Sequence, residues 1–136
     1  MLNPSLLLFI VLFTLFLTPS TRAQCDSGQF SNQLNANTCT DCPAGFKSAT
    51  QYSCKRCLVG LFSNEPKSIV CNICPTGKYQ NLPGKTSCRK CAPGKDQPAE
   101  TSIFCNKCEA GRIAKEQGTT RCPICSRGTY QNELSQ

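Results

Sequence analysis

The hydrophobic and polar positions of the chain follow two patterns, which meet near residue 23. From Leu6 to Leu17 every residue is apolar except Thr14. After residue 23 large apolar residues are few, and no stretch keeps a 3.6-residue apolar period over three turns, so helices are not expected there. Single large side chains instead alternate with polar turn formers such as SNEP and QNLPG. This pattern predicts short extended segments joined by turns.

The N-terminal apolar run has the organisation of a secretory signal peptide. Pro19 follows the run, and the small residues Thr21 and Ala23 precede a cleavage site before Gln24. The alternative is an uncleaved membrane anchor, but a span needs roughly 20 apolar residues and this run is shorter. We therefore assign residues 1–23 to a signal peptide. The protein is expected to be secreted or to lie on the extracellular face of the cell surface.

The rest of the chain, residues 24–136, is a series of cysteine-rich repeats. Each unit starts at a leading cysteine, which in all units but the first is the second cysteine of a C-x-x-C pair. Most units are 17 residues long, whereas the second has 15 and the last stops after 12. A period this regular predicts a repeat architecture in which each unit packs on its neighbours. We number the units 1 to 7 by their leading residues, which are Cys25, Cys42, Cys57, Cys74, Cys91, Cys108 and Cys125.

Two further positions recur inside the units. A large side chain stands five residues after the leading cysteine in most units, as at Phe30, Phe62, Tyr79, Ile113 and Tyr130. A glycine stands three residues after it in every unit, which indicates a positive φ angle or a close backbone approach. These structural glycines are Gly28, Gly45, Gly60, Gly77, Gly94, Gly111 and Gly128. The predicted fold is a small disulfide-rich, elongated tandem repeat of β-hairpin-like units with little regular secondary structure.

Composition indicates that covalent bonds hold this repeat together. After residue 23 the chain has only 16 Phe, Leu, Ile and Val residues, well under the roughly 20% below which chains usually stay disordered. Such a chain cannot bury enough surface to offset its conformational entropy. It does contain 13 cysteines, a density typical of secreted disulfide scaffolds.

The cysteine spacing allows two disulfide arrangements, which sequence alone cannot distinguish. We favour closure of each unit on itself, because it explains why the series starts with one cysteine and not a pair. Each loop would then hold about 15 residues, and one such bridge stabilises by roughly 3 kcal/mol. The predicted pairs are Cys25–Cys39, Cys42–Cys54, Cys57–Cys71, Cys74–Cys88, Cys91–Cys105 and Cys108–Cys122. The alternative interlocks adjacent units through Cys39–Cys54, Cys42–Cys57, Cys71–Cys88, Cys74–Cys91, Cys105–Cys122 and Cys108–Cys125.

The two arrangements leave different cysteines unpaired. Closure within units leaves Cys125, whose partner would be expected near position 139, and the interlocking arrangement leaves Cys25. Since unit 7 stops before such a partner, we expect the sequence to be a fragment, or an early stop, of a longer array. Cys125 is then a candidate for an intermolecular disulfide.

Other uses of the cysteines are less consistent with the sequence. Cys39, Cys42, Cys54 and Cys57 could form one tetrahedral zinc site, but a signal peptide directs the chain to an oxidising compartment, and the pairs form an unbroken series. Thioredoxin-like redox chemistry needs a βαβ context that is absent. The chain has no histidine, no evident carboxylate pair and no phosphate-binding loop. We therefore predict no enzymatic activity, no metal, no cofactor and no nucleic-acid partner.

The charge of the chain leaves a second function class open. The formal net charge is +7, with acidic residues interspersed among the basic ones, as on an ordinary solvated surface. A secreted cationic effector that binds acidic polymers or membranes would need this charge gathered on one face. The densest basic runs, CKRC and CRKC, are too short to indicate such a face by themselves.

The motif C-x-x-C-P-x-G-x-[FY]-x-N, followed by G-x-x-x-C, resembles the ephrin-receptor-like cysteine-rich repeat. The best matches are CPTGKYQNLPGKTSCRKC at 74–91 and CSRGTYQN at 125–132. The pattern is also similar to cysteine-rich modules of tumour-necrosis-factor receptors and growth factor receptors. Units 5 and 6 lack the aromatic residue and the asparagine, and unit 2 is shorter.

This resemblance covers essentially the whole chain after residue 23, and it implies a fold more than a function. It implies an extracellular spacer or protein-interaction module whose partner is an unknown extracellular protein. The chain contains no kinase, ligand-binding or death domain, so the resemblance implies no receptor signalling.

Overall fold

The computed structural model describes residues 25–31 and 38–129 of the chain. The predicted signal peptide, Tyr130 and the remainder of unit 7 lie outside the described residues. The described part contains no helix, only short strands in antiparallel pairs, which confirms the predicted fold class. The strands are β1 (Gln29–Phe30), β2 (Thr40–Asp41), β3 (Phe46–Thr50), β4 (Ser53–Arg56), β5 (Leu61–Phe62), β6 (Asn72–Ile73), β7 (Lys78–Tyr79), β8 (Arg89–Lys90), β9 (Lys95–Asp96) and β10 (Asn106–Lys107).

Each of units 1 to 5 forms one hairpin. The strand after the structural glycine pairs with the strand that immediately precedes the next leading cysteine, so β1 pairs with β2, β3 with β4, and so on to β9 with β10. In unit 6 the hairpin is reduced to an isolated bridge between Arg112 and Ile124. Pro123, beside that bridge, has no N–H to donate to a longer ladder.

Unit 2 has the longest strands because it is two residues shorter than the others. Its strands are joined by the two residues Gln51 and Tyr52, and the pairing extends almost to the turn. The register shifts between Ser48 and Thr50, which marks a local irregularity in β3. In the 17-residue units the extra residues form a longer loop instead.

Adjacent units are joined by a recurring set of three backbone hydrogen bonds. Between units 4 and 5, Gly77 N donates to Gln97 O (2.7 Å), Gln80 N donates to Ser102 O (3.0 Å), and Thr101 N donates to Cys74 O (2.8 Å). The same three positions are bonded between units 2 and 3, units 3 and 4, and units 5 and 6. Because backbone groups make these bonds, the loop residue that donates to the leading cysteine can differ between units, as Lys67, Gly84 and Thr101 show.

The loop of each unit also reaches the unit two places before it. The carbonyl oxygen of Gly118 in unit 6 lies so close to Gly77 of unit 4 that a Cβ on Gly77 would clash with it. Gly28, Gly45 and Gly60 approach the loops two units on in the same way. The loop residue involved has a positive φ even where it is not glycine, as at Lys67 (59°) and Thr101 (57°). The sequence predicted packing between neighbouring units, and the structure adds this second layer of contacts.

The interior consists mainly of cysteine. Among the described residues the buried apolar side chains are Ala114 and the cysteines Cys42, Cys57, Cys74, Cys91, Cys108 and Cys122. The large apolar side chains lie half-buried, like Phe46 and Phe62, or exposed. Since no cluster of large apolar side chains is buried in this part of the chain, the disulfides and the inter-unit backbone bonds take the place of a conventional core.

Candidate functional site

Six disulfides follow one another along the described part of the chain. They are Cys25–Cys39, Cys42–Cys54, Cys57–Cys71, Cys74–Cys88, Cys91–Cys105 and Cys108–Cys122. This is closure within units and not the interlocking arrangement. The Cα atoms of each pair are 5.6–5.7 Å apart, the separation most often found in disulfides.

The two ends of each bridge have different surroundings. The leading cysteines of units 2 to 6 are almost completely buried, because the neighbouring units cover them. The closing cysteines of units 1 to 5 are half-exposed. Each of the bridges in units 2 to 5 therefore runs from the interior of the stack to its surface and anchors the end of its hairpin.

Cys125, the leading cysteine of unit 7, is unpaired in the structure and half-exposed. Its backbone N–H donates to Gly111 O (2.9 Å), the same bond that the other leading cysteines make to the preceding unit. Unit 7 therefore begins in the same way as the units before it. An intermolecular disulfide through Cys125 remains a prediction.

All seven structural glycines have positive φ angles, between 76° and 86°. For Gly28, Gly45, Gly60 and Gly77 the close backbone approach described above adds a second reason for glycine. Gly111 and Gly128, by contrast, have nothing within 4 Å of the point where a Cβ would stand. One position thus serves two physical requirements, of which only the φ angle is common to all seven units.

One position of structural importance was not predicted from the sequence. The residue six places after the leading cysteine is polar and buried in several units, as at Ser63, Gln80 and Gln97. Gln97 Nε2 donates to Phe104 O (2.6 Å), and its Oε1 accepts from Ala99 N (3.0 Å). Gln80 makes the equivalent bonds in unit 4. The sequence does show a polar residue at this position in several units. It was not recognised because polar residues are also common in the turns that follow it.

These buried amides hold the loops in shape. A buried polar side chain without a partner costs about 1–3 kcal/mol, so the bonds that satisfy both ends of the Gln80 and Gln97 amides are structurally valuable. Ser63 acts similarly, since its hydroxyl bonds to Glu65 O and to the Ser68 hydroxyl. The loops of units 3, 4 and 5 are therefore each fixed from inside by one polar side chain.

Charged and apolar side chains occupy the outer surface. Two ion pairs occur among the described residues, Lys67–Asp41 at 3.5 Å and Arg112–Glu109 at 3.9 Å. Several large apolar side chains are exposed, mostly in units 3 and 5, including Leu58, Val70 and Phe104. Both the charged and the apolar side chains of this surface are available to a binding partner.

Metal-binding clusters and membrane spans are both absent from residues 25–31 and 38–129. This part of the chain contains no group of three or more His, Cys, Asp or Glu side chains placed to hold a metal ion. None of it forms an apolar helix of membrane-spanning length.

Comparison with known proteins adds no relative. No protein-family model matches the chain, and no curated protein matches it. The class defined by the structure is therefore a small disulfide-rich protein built from tandem hairpins, a class compatible with an extracellular module. The resemblance to ephrin-receptor-like repeats stays a prediction from the motif.

Proposed function

We propose that the protein is a secreted or cell-surface repeat protein that acts as an extracellular spacer and protein-interaction module, without enzymatic activity. The observation that carries this proposal is the disulfide ladder, in which buried leading cysteines replace a conventional apolar core. Disulfides persist in oxidising compartments and are rare where thiols are kept reduced. A fold held together in this way is suited to the outside of a cell.

The stacking of units supports the spacer part of the proposal. Repeat stacks in which each unit contacts only nearby units can be lengthened without rearranging a shared core. Each junction uses backbone hydrogen bonds, so the outward side chains are free to vary between units. The exposed side chains of units 3 and 5, such as Leu58 and Phe104, offer apolar contact to a partner. The predicted signal peptide and the ephrin-receptor-like motif are consistent with this role.

Thiol titration of secreted material tests the proposal. We expect at most one free thiol per chain and no stoichiometric zinc, because all described cysteines except Cys125 are paired. The variant Cys125→Ser is the matched control and should remove the remaining thiol without changing the other bridges. Many free thiols accompanied by bound zinc would contradict the proposal and favour a thiol metal-binding protein.

A further inference from the structure

The basic residues are distributed unevenly among the units. Units 2 and 4 contain no Asp or Glu, whereas each of the other units contains at least one. The two acid-free units lie wholly within the described residues. Together they hold seven cations, which are Lys47, Lys55, Arg56, Lys78, Lys85, Arg89 and Lys90.

The hairpins place like charges opposite each other. Lys47 is the cross-strand partner of Lys55 in unit 2, and Lys78 is that of Lys90 in unit 4. Directly opposed residues of an antiparallel pair project from the same face, and two like charges there are destabilising. Neither ion pair among the described residues includes a cation of these two units. Within that part of the chain, no carboxylate offsets this repulsion by a direct ion pair.

The contact between units two places apart brings one of these cations, Arg56 of unit 2, against the loop of unit 4. Arg56 packs the Cγ and Cδ of its stem 3.5 Å from the Cβ position of Gly84, in unit 4. Its guanidinium lies over the Phe46 ring at 5.9 Å, and the next residue after Gly84 is the exposed Lys85. CKRC at 54–57 and CRKC at 88–91 are 34 positions apart in sequence, yet their units touch. We call units 2 and 4, with these seven cations on both faces of their hairpins, the basic strip.

We propose that the basic strip binds a linear sulfated polysaccharide. This inference deepens the proposed function, on which it rests, by naming a class of extracellular partner. A flexible polyanion can follow cations that lie on both faces of alternate hairpins, and its sulfates supply the counter-charges that these units lack.

A membrane surface is a poorer match to the same strip. Binding at a lipid interface combines cations with large apolar side chains that enter the acyl boundary. In units 2 and 4 the exposed large apolar side chains are Tyr52 and Leu82, fewer than in unit 3. The strip therefore favours a partner that carries negative charge and needs no apolar side chains to insert into it.

Binding to immobilised heparin, compared between two triple variants, tests the inference. The strip variant is Lys55→Gln with Lys85→Gln and Arg89→Gln, all exposed and without a side-chain hydrogen bond or ion pair described above. The control variant is Lys107→Gln with Lys115→Gln and Arg127→Gln, which changes the net charge equally outside the strip. Thiol titration of each sample checks that its bridges are intact.

We expect the strip variant to bind about tenfold more weakly, since each exposed ion pair contributes a few-fold, and the control variant to stay within about threefold of the wild type. The salt dependence should also become shallower for the strip variant, by about two units in the slope of log affinity against log salt concentration. Desulfated heparin should not compete for the wild-type protein.

Four results would overturn the inference. Equal losses in both variants would mean that net charge alone drives binding. A wild-type protein that ignores heparin, or that binds phosphatidylserine vesicles in preference to it, would exclude a sulfated polysaccharide. Competition by desulfated heparin would show that sulfates are not needed for binding. This experiment uses only the wild-type protein, so it tests the inference even if a variant fails to fold. Free thiols with zinc in the wild-type sample would instead show that the proposed extracellular function is wrong.

Discussion

Gly77 and Gly111 occupy the same position of their units and have nearly the same φ angles, 76° and 80°. Their surroundings differ, because a Cβ on Gly77 would clash with Gly118 O whereas a Cβ on Gly111 would meet nothing within 4 Å. Substitutions at these two glycines therefore distinguish the cost of a side chain at a positive φ angle from the cost of disrupting the contact between units two places apart.

We predict that Gly77→Ala destabilises the protein more than Gly111→Ala does. Both substitutions incur the backbone strain of a positive φ, about 1–2 kcal/mol. Only Gly77→Ala also displaces the loop of unit 6, whose Gly118 N–H bonds to Cys91 O, and this adds about 2 kcal/mol. Urea unfolding followed by circular dichroism, with the disulfides intact, measures both variants. Equal destabilisation would mean that the contact between units two apart is not formed in solution.

At the residue scale the sequence predicted some positions and missed others. The structural glycines were found because glycine recurs at the same position of every unit, where the backbone has a positive φ angle. Lys67 and Thr101 were not found, although they share a positive φ with Gly84 and Gly118 at the same loop position. Lys67 also makes an exposed ion pair with Asp41, two units before it, which contributes at most about 1 kcal/mol. Because Lys67 and Thr101 are not glycine, this loop position shows no strict glycine phase in the sequence.

At the scale of the hairpin, each disulfide closes a single unit, whereas the contacts of one loop reach the two units before it. The hairpins β1–β2 to β9–β10 were predictable from turn formers and the cysteine spacing. The three bonds at each junction, and the approach of each loop to the unit two before it, were not. Both depend on backbone groups, which are present at every residue and therefore leave no pattern of side chains to recognise.

Removal of the Cys74–Cys88 bridge tests how far one unit supports the others. We predict that Cys74→Ala with Cys88→Ala costs about 3 kcal/mol and lowers the hydrogen-exchange protection of Gly118 N in unit 6. The reason is that the loop around Gly118 rests on Gly77 of unit 4. If exchange increased only in units 3, 4 and 5, the stack would be coupled between nearest neighbours alone.

The matched control removes the bridge of unit 1. Cys25→Ala with Cys39→Ala eliminates a loop of the same length, since both bridges join residues 14 apart in sequence. Unit 1 contacts unit 3 through Gly28 and Lys67. Exchange should therefore rise in units 1 to 3 while the Gly118 amide keeps its protection.

At the scale of the whole molecule, the contacts described above join units no more than two places apart. Stability in such a stack is a sum of local terms, so length can increase without a larger core. Charge does not follow the structural repeat, since units 2 and 4 lack acidic residues whereas unit 6 contains Glu109 and Glu116. Along the sequence the basic residues look interspersed, because the contact that joins units 2 and 4 is visible only in the structure.

Small-angle scattering tests whether the array is extended. A compact domain of the length that follows residue 23 would have a radius of gyration of about 13 Å. We expect a clearly larger value, because the bridges are local and no apolar core among the described residues draws the ends of the array together. Since an unfolded chain would also be large, the sample must first show no more than one free thiol. A compact value from such a sample would mean that the array folds back on itself, and the basic strip would then face other units instead of solvent.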